Sequence, residues 1–162
     1  MKKLLFIIVL VLVVLVANGC EKEKVYPSYI TAENIYELES EHYLIYFEKE
    51  TCSQCAATLP SVIEYLTEKS GKKDFVPIYR VLLEFTDENN EEVVLPISRA
   101  YDKANTGQGP DGNFYVDGVN NWLALYIAAA PSLIEITNKQ SKLVAVGKTE
   151  IENYLNNLQN GK

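Results

Sequence analysis

The stretch that most constrains this chain is residues 42–60, HYLIYFEKETCSQCAATLP. An apolar, strand-forming run from Tyr43 to Phe47 ends in a short polar turn. Cys52-Ser53-Gln54-Cys55 then opens a segment with helical periodicity, interrupted by Pro60. A strand that delivers two cysteines, two residues apart, onto a helix N-terminus builds a thiol–disulfide site. The unpaired backbone N–H groups and the positive dipole end of that terminus favour a thiolate on the first cysteine. One helical turn brings the second sulfur within reach of the first.

The 162 residues and 48% hydrophobic content suit one domain with a packed core. Removing Lys2 and Lys3 takes the formal charge from −7 to −9, which argues against nucleic acid and against adhesion to anionic lipid. The N-terminus reads as an export signal: Lys2-Lys3, an unbroken apolar run from Leu4 to Val16, then Ala17-Asn18-Gly19-Cys20. Leu4 to Ala17 is short for a transmembrane helix, which needs about twenty residues. The small residues before Cys20 resemble a bacterial lipobox, with Ala17 and Asn18 as its less usual members. Residues 1–19 are therefore expected to be a lipoprotein signal peptide, and Cys20 the lipidated mature N-terminus on the extracytoplasmic face of the membrane. An uncleaved anchor and an ordinary signal peptide are the alternatives. Three cysteines leave one over after the pair, and a lipid thioether on Cys20 accounts for it.

Residues 20–29, charged and broken by Pro27, read as a flexible tether to a domain over 30–162. In that domain Thr31 to Leu38 is expected as a helix with Thr31 as N-cap. Tyr43 to Phe47 is the central strand. A helix over about Cys52 to Lys69 carries Leu59, Val62, Ile63 and Leu66 at helical spacing and is closed by Gly71. Phe75 to Phe85 reads as a buried strand with Pro77 near its start, so the order favours a right-handed parallel crossover. Beyond it come an acidic turn (Asp87 to Glu92), a helix over Leu95 to Ala104 and a polar loop over Asn105 to Asn113. Phe114 to Val116 is expected as a short strand or loop anchor, and Val119 to Ile127 as a helix carrying Trp122, Leu123 and Tyr126. Ser132 to Ile136 and Ser141 to Val146 read as a hairpin across Asn138-Lys139-Gln140, and Thr149 to Leu158 as the last helix.

Four features in register resemble the thioredoxin superfamily from about residue 30 to the end. They are the strand into Thr51-Cys52-Ser53-Gln54-Cys55, Pro60 where the family has its kink proline, Pro131 before SLIEI at the family's cis-proline position, and Val146-Gly147 before the last helix. The resemblance implies an α/β fold, a three-layer α/β/α sandwich with a mixed central sheet and an insertion over roughly 84–116 before the cis-proline strand. Tyr46 stands where thioredoxin keeps a buried aspartate, Thr51 replaces the tryptophan before the first cysteine, and Ser53-Gln54 replaces Gly-Pro. Thr51 and the Leu59-Pro60 pair look more like the small thioredoxin-like accessory proteins of Gram-positive bacteria, some associated with bacteriocin export.

By that resemblance Cys52 is the nucleophile and Cys55 resolves the mixed disulfide, the pair cycling as a redox-active disulfide. Pro131 offers a backbone edge to substrate, Ala130 just before it modulates specificity, and Thr51 is counted with them as substrate-binding. Partners would be thiols and disulfides of exported proteins and a membrane electron donor or acceptor, with no further cofactor. Glu48 and Glu50 flank the motif and are expected to disfavour the thiolate, against the helix dipole. A structural disulfide in a thioredoxin-like binding module of an export system is the alternative. A zinc site wants four ligands, and His42, the only histidine, is read as a solvated edge residue, so no metal is expected.

Overall fold

The computed structural model describes residues 22–99 and 115–161. The signal segment and Cys20 lie outside the described residues, as do residues 100–104 of the expected Leu95–Ala104 helix, the Asn105–Asn113 loop and Phe114.

The spine is β2 (His42–Lys49), buried from Tyr43 to Glu48. Strand alternation sends Tyr43, Ile45 and Phe47 to one face and Leu44 and Tyr46 to the other. Helix α1 (Ser53–Lys69) follows and returns the chain to β3 (Ile78–Thr86), parallel to β2, as the crossover reading expected. β1 (Ser28–Tyr29) pairs parallel with the start of β3, and β4 (Glu92–Val94) pairs antiparallel with its end. β5 (Ser132–Thr137) lies antiparallel on the other side of β2, and β6 (Gln140–Val146) antiparallel on β5. The order is β1-β3-β2-β5-β6, with β4 also on β3. The β5–β6 turn places Asn138 and Lys139 at φ of 51° and 61°, the positive values a two-residue hairpin requires. Helix α2 (Lys148–Gln159) closes the chain and packs with α1 on the Leu44–Tyr46 face, over Val62, Leu66, Leu133, Ile151 and Leu155. This is a thioredoxin-like α/β sandwich around a mixed six-stranded sheet.

The opposite face is covered with little regular structure, and here the sequence reading needs correction. The helix expected over Thr31 to Leu38 is a short 3-10 helix, Ala32–Tyr36. Thr31 makes no capping bond to it, and its Oγ1 instead accepts from Asn34 Nδ2 at 3.2 Å. The helix expected over Val119 to Ile127 shrinks to a 3-10 turn, Trp122–Ala124, because tertiary partners claim the backbone on either side. Tyr126 N donates to Tyr115 O (2.9 Å) and Ile127 N to Ile97 O (2.7 Å). Leu95 to Arg99 is likewise not helical: Leu95 N bonds to Leu83 O (2.9 Å) and Arg99 N to Ile127 O (3.1 Å). The cover still seals a core, with Val116, Leu125 and Ile127 packed over Tyr43, Ile45 and Phe47. Ser141 stitches it down. Its Oγ accepts from Tyr36 Oη (2.9 Å) and donates toward the carbonyls of Val116 (2.5 Å) and Val119 (3.0 Å). Burial pushes the Tyr36 phenol up to about 12. Along the outer edge of β6, Gly118 N donates to Ser141 O, Ser141 N to Val119 O, and Leu143 N to Asp117 Oδ1, all at 2.8 Å.

The segment read as a tether is docked from residue 22 onward. Lys22 Nζ meets Glu68 Oε2 at 3.0 Å, and Val25 N donates to Thr67 Oγ1 at 3.0 Å. Pro27 is buried, and Ser28 and Tyr29 enter the sheet opposite Tyr79 and Arg80.

Candidate functional site

The dithiol sits where β2 hands over to α1. Cys52 N donates to Lys49 O at 3.2 Å, which closes the Glu50–Thr51 turn. Cys52 itself is the N-cap of α1, in extended geometry, and Ala56 N donates to its carbonyl at 3.1 Å. Its Sγ accepts the backbone N–H of Cys55 at 3.0 Å, so the sulfur takes one of the helix's orphan donors. In the reduced protein that bond and the helix dipole both stabilise a thiolate on Cys52. Cys52 and Cys55 are joined in a disulfide with a Cα–Cα distance of 5.2 Å. Cys52 is half-buried, whereas Cys55 is 2% exposed. Only the first sulfur is open to attack from outside.

The structure brings Ala130 and Pro131 to this pair. The Ala130 carbonyl oxygen lies 3.8 Å from Cys52 Sγ, and the Ala130–Pro131 peptide is cis. Pro131 is buried, and its carbonyl accepts from Gly147 N at 2.8 Å. Gly147 holds φ of 79° at the N-cap of α2, a conformation that favours glycine. With the Pro131 carbonyl taken, the half-buried Ala130 supplies the backbone acceptor beside the sulfur. Ser132 Oγ, on the next residue, is buried without a hydrogen-bond partner among the described residues. Thr51 is exposed on the rim.

Beneath the helix, Tyr46 takes the aspartate's place with a neutral donor. Its phenol is buried and donates to the Cys55 carbonyl at 3.0 Å, and burial pushes its pKa up, so it stays protonated. Glu48 is not the bare anion that the flanking pattern suggested. It is 5% exposed, and its Oε1 accepts from Arg80 Nε and from Tyr29 Oη, both at 2.9 Å. The Arg80 guanidinium also ion-pairs with it and lies 4.3 Å from the Tyr29 ring centre. Arg80 therefore offsets the charge expected to oppose the thiolate. Only the β2–β3 register, with Tyr46 opposite Arg80, could have found this partner. Glu50 remains exposed, and its Oε2 accepts from Thr86 N at 2.7 Å. Lys49 pairs with Glu84 Oε1 at 2.5 Å, and Ser98 Oγ donates to the same oxygen at 3.1 Å. Through Ser98, which bridges to Ile127, the insertion ties the CxxC turn to the segment that carries Ala130.

His42 lies at the far end of β2 and meets Glu135 Oε1 at 2.7 Å. Among the described residues no cluster of three or more His, Cys, Asp or Glu side chains could hold a metal ion. A mixed sheet, two helices and a CxxC-spaced disulfide are compatible with a thioredoxin-like fold, and the disulfide is consistent with a redox function. No family model matches the sequence, and no curated protein matches it either.

Proposed function

We propose that this chain is a thiol–disulfide oxidoreductase held by a lipid on Cys20 at the extracytoplasmic face of the bacterial membrane, acting on disulfides of exported proteins. The observation that carries the redox reading is the placing of Cys52. It caps α1, is half-buried, accepts the Cys55 N–H at 3.0 Å and lies against the Ala130 carbonyl beside the cis peptide. The location rests on Lys2-Lys3, the apolar run and the lipobox-like approach to Cys20.

In the reducing direction the Cys52 thiolate attacks one sulfur of a substrate disulfide. The substrate S–S bond breaks, a Cys52–substrate disulfide forms, and the released substrate sulfur takes up a proton. The Cys55 thiol then loses its proton and its sulfur attacks Cys52, releasing the second substrate thiol and closing Cys52–Cys55. Two electrons pass from the dithiol to the substrate; of the two protons its thiols take up, one is the proton Cys55 loses and the other comes from solvent. Oxidation of a substrate dithiol is the same sequence reversed, and a membrane electron donor or acceptor resets the pair.

Two measurements on the full chain test this. Cys55→Ser should trap mixed disulfides with several exported proteins through Cys52, seen as thiol-sensitive adducts on gels; an absence of adducts would count against the reading. The reduction potential gives the direction. A value near about −270 mV assigns a reductase and one near about −120 mV an oxidant, whereas a pair that stays oxidised well below about −300 mV is structural.

A further inference from the structure

On the reading proposed for Cys20 and the dithiol, we infer that the docked N-terminal segment is a strut. It holds the dithiol on the pole of the domain remote from the membrane anchor, so that the partner is a protein whose reacting cysteines stand clear of the bilayer.

Helix α1 is the ruler. Cys52 caps one end, and Val25 N donates to Thr67 Oγ1 near the other, with Lys22 on Glu68 beside it. At 1.5 Å per residue Cys52 and Thr67 stand about 22 Å apart along the helix. Cys20 is two residues before Lys22, a span of at most about 7 Å. The anchor therefore belongs to the Thr67–Glu68 end. A flexible tether over residues 20–29 would let the dithiol swing down to the lipid headgroups. The docked segment does not: Val25 packs against the Leu44–Leu66 core, Pro27 is buried, and Ile30 N donates to Arg80 O at 2.9 Å.

Charge orients the body on so short a leash. At the anchor end the exposed lysines Lys22, Lys24, Lys72 and Lys73 are matched by the exposed carboxylates Glu23, Glu64, Glu68 and Asp74, so that end carries little net charge. At the dithiol end Glu50, Glu88, Glu91 and Glu92 are exposed, and the hairpin that carries three of them is tied to Glu50 through Thr86 N. No ion pair engages these four carboxylates among the described residues. Near an anionic leaflet such unpaired carboxylates are repelled, over a Debye length of about 8 Å. The acidic pole, and the dithiol with it, faces outward. Disulfides set in extramembrane domains are then the substrates, and a membrane protein that resets the pair must present its cysteines on such a domain.

The test uses the lipidated full chain, reduced, on vesicles containing phosphatidylglycerol. Insulin serves as a soluble protein disulfide, and a dye–quencher disulfide on a phosphatidylethanolamine headgroup as a bilayer-level one. A second protein carries ten Gly-Ser residues between Glu21 and Lys22, which leaves every docked contact in place and adds a coil of about 17 Å r.m.s. span. Both proteins should reduce insulin at the same rate, while the insertion speeds cleavage of the headgroup probe at least tenfold. Equal rates on the headgroup probe, or a chain that does not travel with the vesicles, would overturn the strut. If neither protein reduces either probe, the oxidoreductase reading falls first and takes this inference with it.

Discussion

Two stretches of chain meet at the dithiol, and they keep their shape by different means. Residues 42–69 run as strand and helix, with regular repeats and a cap supplied by the cysteine itself. Residues 115–131 carry one 3-10 turn, and their backbone groups bond instead to distant segments at Ile97, Arg99 and Ser141. One side of the site is built locally, the other by tertiary contact. Both end at the same sulfur, since Cys52 caps the helix and faces the Ala130 carbonyl. Irregular cover can thus be as well sealed as helical cover.

The sharpest way to break that equivalence is to hollow out each side in turn. Leu125→Ala in the irregular cover should cost about 2–5 kcal/mol, as much as Leu66→Ala on the buried face of α1, because both side chains are buried in packed surroundings. Urea unfolding of the two variants checks this; a Leu125→Ala loss below about 1 kcal/mol would make the irregular face a loose lid. Smaller, but more selective, is Ser141→Ala. It leaves Tyr36 Oη without its acceptor, so about 1–3 kcal/mol should go. Hydrogen exchange should quicken around residues 116–119 while α1 keeps its protection. Smallest is Tyr46→Phe on the helical side, which removes one bond to the Cys55 carbonyl and should cost about 0.5–1.5 kcal/mol. Amide exchange should speed in the first turn of α1 and leave residues 116–127 unchanged.

The same contrast explains what could be read before the fold was seen. β2, α1, the β5–β6 hairpin and α2 announce themselves because periodicity and turn residues are local signals, and the cysteine pair and Pro131 fall in register with them. β1 and β4, two and three residues long, are too short to show a period. Val119 to Ile127 has helical apolar spacing, yet the pairing of Ile127 with Ile97 and Ser98 outweighs it. The docking of residues 22–29 and the Arg80 partner of Glu48 depend on which strands become neighbours. No window of sequence contains that.

The cover on β6 has a further consequence. An edge strand with bare amides invites a strand from another molecule. Here Ser141 N is occupied by the Val119 carbonyl, and Leu143 N by the Asp117 carboxylate. A strand arriving at this edge would have to strip off residues 117–119 before it could pair. On this side the sheet resists edge-to-edge pairing.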